Sequence, residues 1–129
     1  MCVVMPAAPA DLCRVLIVED DPDSREVMAL LFGARDDREV HVAGSVGEAL
    51  GEMRKRMPSH ILLDLMLPDY GGVVLLRAVR EDELPVRVAL VTAAGPGSQS
   101  VEEAMRWRPD AVFYKPVNFD AVARWLSGE

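Results

Sequence analysis

The stretch at residues 60–72, H-I-L-L-D-L-M-L-P-D-Y-G-G, decides how the rest of the chain is read. Ile61, Leu62 and Leu63 form a short apolar run, and Pro68, Asp69, Gly71 and Gly72 supply turn chemistry behind it. Such a run, bounded by turn residues, predicts a strand buried on both faces that ends in a loop. Asp64 interrupts the run. An unpaired buried carboxylate is costly, so Asp64 belongs at the strand's C-terminal mouth, where water, a cation or a ligand can meet it. Taken alone, the same residue could simply cap the next turn. Its neighbours must decide.

Upstream, residues 14–18 (R-V-L-I-V) are β-branched and apolar and predict another buried strand. Glu19, Asp20 and Asp21 follow at once. Asp21 before Pro22 is a helix start, an N-cap followed by proline at the first helical position. Val27, Leu30 and Leu31 recur at helical spacing and predict that helix's buried face, with Gly33 at its end. Residues 40–43 predict a second strand. Residues 45–57 predict a helix with Val46, Ala49, Leu50 and Met53 inward and Glu52, Arg54, Lys55 and Arg56 outward, stopped by Pro58.

Downstream, residues 73–80 predict a helix on Val73, Leu76 and Val79, and residues 86–92 (V-R-V-A-L-V-T) a fourth strand. A Gly/Pro loop at 94–98 leads to a short helix at 101–106. Residues 111–114 predict the last strand and 119–126 the last helix. Strand and helix thus alternate throughout. Strands that read as solid apolar runs require a parallel sheet covered by helices on both sides, an α/β fold.

Composition sets limits on function. The 129 residues suffice for one domain with a real core, and 50% hydrophobic with 27% charged residues excludes global disorder. Residues 1–13 read as a loose N-terminal leader without Lys or Arg, and 14–127 as the folded domain. A net charge of −7 opposes direct binding to nucleic acid. No apolar run approaches the roughly 18–20 residues of a membrane span, so no membrane partner is expected. Cys2 and Cys13 have no metal-ligand spacing and make no disulfide framework, which points to a reducing cytoplasm.

In an open parallel α/β sheet, ligands bind at the carboxyl ends of the strands. Here those ends carry Glu19 and Asp20, then Asp64, then Thr92, then Lys115 with Pro116. Carboxylates at 4 Å repel by roughly 4 kcal/mol per pair at an effective dielectric near 20. A divalent cation relieves that strain. With only oxygen ligands on offer, Mg²⁺ is selected over zinc, and it keeps open positions that a phosphoryl group can take. Lys115 supplies a point charge for phosphoryl oxygen and Thr92 a hydroxyl.

V-E-D-D-P-D, L-L-D-L-M-L-P-D-Y-G-G, L-V-T-A-A and Y-K-P-V occur in the order and at the spacing of receiver domains of two-component response regulators, which the chain resembles over residues 14–126. The resemblance implies a flavodoxin-like (βα)5 three-layer sandwich with strand order 2-1-3-4-5. It implies a signalling module rather than an enzyme, one that catalyses only its own phosphoryl transfer and dephosphorylation. Asp64 is then the phosphoacceptor, and Glu19, Asp20, Asp64 and the Met66 backbone carbonyl hold Mg²⁺. Thr92 becomes the switch hydroxyl and Lys115 the site lysine, with a cis peptide before Pro116. Asp69 and Gly71 match the family's Pro-Asp-x-x-Gly loop. The implied partners are a sensor histidine kinase or phosphotransfer protein, and a downstream target or fused output domain. A homodimer through the fourth helix, fifth strand and fifth helix is the further implied partner. In one departure, Val112 stands where the family carries a switch aromatic, and the aromatics here are Phe113 and Tyr114.

Other features read as structural. Asp21 is a cap, His41 lies inside a strand and His60 starts one, Trp107 and Trp125 pack, and the seven Met residues fill core. The chain ends soon after the fifth predicted helix, so a stand-alone or an excised domain is expected. Two alternatives compete with this reading. An Asp-nucleophile phosphatase or hydrolase of the haloacid-dehalogenase type needs Asp-x-Asp, and Asp64-Leu65-Met66 lacks the second carboxylate. A degenerate, phosphate-independent receiver would not need all of the site residues, and all are present.

Overall fold

The computed structural model describes residues 12–69 and 71–128. The elements follow as β1 (Cys13–Val18), α1 (Pro22–Phe32), β2 (Arg38–Ala43), α2 (Val46–Lys55), β3 (His60–Leu63), α3 (Gly72–Glu81), β4 (Arg87–Thr92), α4 (Gln99–Met105), β5 (Ala111–Tyr114) and α5 (Phe119–Leu126). All strand pairs are parallel, in the order β2-β1-β3-β4-β5. This is the flavodoxin-like sandwich that the resemblance implies. Most of the leader lies outside the described residues. Cys13, counted in the leader from sequence, is the first residue of β1 and pairs with Arg38.

Alternation along the strands feeds two cores. Leu16, Val18, Ile61, Leu63, Val88 and Leu90 point to one side and pack with α2, α3 and α4. Val15, Ile17, Leu62, Ala89 and Val91 point to the other and pack with α1 and α5. Side-chain caps start four of the helices. Asp21, Ser45, Ser98 and Asn118 each accept a backbone N–H from the first turn, which satisfies a donor the helix cannot.

The predicted buried face of α1 is overturned. Val27, Leu30 and Leu31 are exposed, Leu30 by 67%, and Met28 and Phe32 are the residues buried against the sheet. Both sets have helical spacing. Contact with Val15, Ile17 and Val91 is what selects the second. The reading of the methionines as core filler holds for Met28 and Met53 and fails for Met57, Met66 and Met105, which are exposed. α3 buries Leu75 beside Leu76 and Val79, while Val73 is only partly covered.

Candidate functional site at the carboxyl edge of the sheet

Strand register builds the site. Val18 and Leu63 are partners in the ladder, so Glu19 and Asp64, each one residue further on, stand side by side. The Glu19 N–H still donates to the Ala43 carbonyl and that of Asp64 to the Val18 carbonyl, both at 3.0 Å. These bonds hold two carboxylate-bearing residues at the mouth of the sheet, and both side chains are buried. Lys115 follows β5, and its N–H donates to the Thr92 carbonyl at 2.8 Å. The Lys115–Pro116 peptide is cis.

Lys115 Nζ donates to Glu19 Oε1 at 2.7 Å and to Asp64 Oδ2 at 3.1 Å. Asp64 Oδ1 accepts the Met66 N–H at 2.9 Å. Asp20 is exposed, and one carboxylate oxygen from each of Glu19, Asp20 and Asp64 lies within 4.8 Å of the others. One ammonium therefore serves two buried carboxylates, with a third carboxylate beside them. Burial pushes the Glu19 carboxyl up to about 7, Asp64 adds to the rise, and Lys115 opposes it. Burial works against the Lys115 ammonium, but the hydrogen bonds to Glu19 and Asp64 outweigh it and raise its pKa.

Glu19 Oε2 is buried and has no hydrogen-bond partner. An orphaned carboxylate oxygen is costly unless something else binds it. Beside two further carboxylates, and with no His or Cys among the donors, it fits a hard divalent cation such as Mg²⁺.

Thr92 is fully buried, and its Oγ1 accepts the Ala94 N–H at 3.1 Å, closing the first turn of the β4–α4 loop. Its partner across the ladder is Tyr114, while Val112 pairs with Leu90 two residues deeper. Val112 packs into the core under α4, and Phe113 meets the Trp125 ring on the other side.

Sequence reasoning named Asp69 and Gly72 as loop residues without what they support, and it passed over Arg25. Asp69 accepts the N–H groups of Val46 and Gly47 at 3.1 and 3.0 Å, which ties the β3–α3 loop to the start of α2. Gly72 is required by packing, since a Cβ there would lie 2.3 Å from the Asp64 carbonyl oxygen. The Gly71-Gly72 pair was the available signal. Arg25 Nη1 donates to the Glu19 carbonyl at 3.1 Å, and a contact to a backbone oxygen leaves no trace in sequence.

Residues 15–126 match the family model described as response regulator receiver domain. The probable C4-dicarboxylate response regulator DctR of Halalkalibacterium halodurans is 28% identical over 121 residues, 93% of this chain. The DNA-binding response regulator MtrA of Mycolicibacterium smegmatis is 34% identical over 80 residues, 62% of this chain. The matches span 52% and 34% of those two relatives. Among solved structures, a CheY-like response regulator receiver domain protein from Methanospirillum hungatei superposes with a TM-score of 0.76 at 27% identity, covering 91% of this chain and 92% of that one.

Proposed function

We infer the function from one premise: this chain belongs to the family of response regulator receiver domains. On that footing Asp64 is the phosphoacceptor. A carboxylate oxygen of Asp64 attacks the phosphorus of a phosphohistidine on a sensor histidine kinase or phosphotransfer protein. The N–P bond breaks, its electron pair returns to the imidazole, and an acyl phosphate remains on Asp64. The observation that carries this reading is one lysine shared between two buried carboxylates, with a third carboxylate beside them and a carboxylate oxygen left over.

Glu19, Asp20, Asp64 and the Met66 carbonyl would hold Mg²⁺, whose charge offsets that of the incoming phosphoryl oxygens. Lys115 gives a fixed positive charge against the same oxygens, and it is held in place through its backbone bond to Thr92. The Thr92 hydroxyl proton is available for a phosphoryl oxygen, and its turn toward that oxygen moves the loop it now closes on Ala94. The face formed by α4, β5 and α5 then changes shape for a downstream target, a fused output domain or a second copy. A histidine kinase as donor places the domain in the cytoplasm.

Intact-mass measurement after incubation with acetyl phosphate and Mg²⁺ tests the reading. The expected result is a gain of one phosphoryl group that is lost in Asp64→Asn. No gain in the native protein, or an equal gain in Asp64→Asn, refutes it.

A further inference from the structure

Arg25 is the fourth residue of α1, and its guanidinium reaches back across the β1–α1 turn to the Glu19 carbonyl oxygen, 3.1 Å from Nη1. That oxygen belongs to the peptide joining Glu19 to Asp20. Its orientation therefore sets the direction in which the Asp20 carboxylate leaves the chain. Asp20 itself is exposed, and among the described residues no hydrogen bond holds its side chain. The peptide is the part of this residue that the protein grips.

The same nitrogen, Nη1, lies against Gly44, in the turn between β2 and α2. A Cβ at position 44 would stand 2.6 Å from Arg25 Nη1 and 3.4 Å from Glu48 Oε1. Glycine there leaves the space that Arg25 occupies. The same turn is fixed from its far side, where the Gly44 N–H donates to Glu48 Oε1 at 2.8 Å and Val46 and Gly47 hold Asp69. Arg25 thus joins the Glu19–Asp20 turn to the turn that carries α2, which in turn holds the loop following Asp64.

We propose that Arg25 is a positioning residue for the cation site: seated against Gly44, it fixes the Glu19–Asp20 peptide so that the Asp20 carboxylate faces Glu19 and Asp64. The inference rests on the Mg²⁺ reading above and goes beyond it. Charge alone would give Arg25 the opposite effect, because a guanidinium near a bound cation repels it. Positioning and repulsion therefore predict opposite signs when the guanidinium is removed.

Mg²⁺ affinity is measured by calorimetry on the full chain and on Arg25→Gln, Gly44→Ala and the double variant, with melting curves in EDTA as the fold control. Removing an outer support of a metal ligand typically weakens binding about 10-fold or more. Arg25→Gln is expected to weaken Mg²⁺ about 10-fold. Gly44→Ala displaces only the far end of a flexible side chain, so it is expected to fold and to weaken Mg²⁺ in the same direction. Added to Arg25→Gln, it is expected to change nothing further, because the contact it disturbs is gone. In phosphorylation, the half-saturating Mg²⁺ concentration should rise in step while the rate at saturating Mg²⁺ stays near that of the native protein. Mg²⁺ binding by Arg25→Gln that equals or exceeds the native affinity overturns the proposal. So does a Gly44→Ala effect of the same size with and without Arg25. Native protein that binds no Mg²⁺ overturns the metal reading itself, and this inference with it.

Discussion

The two edges of the sheet treat buried polar groups in opposite ways. At the amino edge they close on one another. Arg38 is buried and donates to the Ala123 carbonyl and to Ser127 Oγ, both at 3.1 Å, which ties β2 to the end of α5. Ser59 Oγ accepts the Arg14 N–H, Cys13 Sγ donates to the Leu126 carbonyl, and His60 stands edge-on to Trp125 with Ser59 Oγ 2.8 Å from its Nδ1. Arg14 Nε is the exception, without a hydrogen bond but 3.8 Å from a Glu39 carboxylate oxygen. At the carboxyl edge one lysine serves two buried carboxylates, a third stands beside them, and Glu19 Oε2 has no partner. A polar cluster that satisfies itself holds a fold together. One that leaves charge unsatisfied is held by the rest of the fold for something that binds.

The largest expected effect breaks the comparison at Lys115. Lys115→Met leaves Glu19 and Asp64 buried as like charges, and losing one partner of a buried ion pair costs about 3 kcal/mol or more. Arg38→Met removes a cation whose partners are neutral, and costs about 2 kcal/mol through lost charge-assisted hydrogen bonds. Urea unfolding with and without Mg²⁺ separates them. Measured against the native protein under the same condition, Mg²⁺ is expected to close much of the gap for Lys115→Met and to leave the gap for Arg38→Met unchanged. An equal change in both gaps would mean that the two edges do not differ as described.

A second effect depends on the cation directly. A ligand at 100 times its dissociation constant stabilises the folded state by about 2.7 kcal/mol. Native protein should gain on this scale from saturating Mg²⁺, and Asp20→Ala should gain almost nothing. Without Mg²⁺, Asp20→Ala should melt at or above the native temperature, because a like charge has been removed. A fall of many degrees would make Asp20 structural.

The difference between the edges also appears in pH, where the signs oppose. The Glu19 carboxyl, raised to about 7 by burial, binds its proton more tightly folded than unfolded. Without Mg²⁺ its contribution to stability therefore falls as pH rises from about 4.5 to about 7. Burial lowers the His60 pKa, with Arg87 adding to the effect. Its contribution is complete above the ordinary histidine value of about 6.5 and falls as pH drops below it. The two slopes partly cancel in the native protein. Glu19→Gln should leave stability rising with pH up to about 6.5, and His60→Gln should leave it falling toward about 7. Denaturant midpoints across this range, in EDTA, check both signs. The same slope in both variants would contradict the assignment.

The placement of the candidate site was legible in sequence because the strands that feed it run apolar into their carboxyl ends, so the first polar residue there marks the carboxyl edge. Glu19, Asp20, Asp64 and Lys115 stand one or two residues past a strand, and Thr92 ends one. The supports were not legible. Asp69 holds a helix start 22 residues earlier in the chain, and Arg25 holds a backbone carbonyl. Both depend on which loops the fold brings together. The fold itself followed from the alternation of elements, and the one misread face belongs to α1, where two apolar stripes overlap. Val27, Leu30 and Leu31 share a spacing that Met28 and Phe32 also satisfy.

That ambiguity gives the smallest expected effect. Leu30 is 67% exposed and Met28 5%, although both are large apolar residues two positions apart on one helix. An exposed substitution away from caps and networks changes stability by about 0.5 kcal/mol or less. Leu30→Gln should fall within that range, since it uncovers no cavity and breaks no contact with the sheet. Met28→Ala empties space between Phe32 and the strands, and large-to-small core changes of this type cost about 2–5 kcal/mol. The pair compares two neighbouring residues on one helix, so helix propensity and chain position nearly cancel and burial is what remains. Urea midpoints in EDTA keep the cation site out of the measurement. A large loss in Leu30→Gln with little in Met28→Ala would reverse the orientation of α1. It would also turn Arg25, three residues before Met28 on the same helix, away from the Glu19 carbonyl.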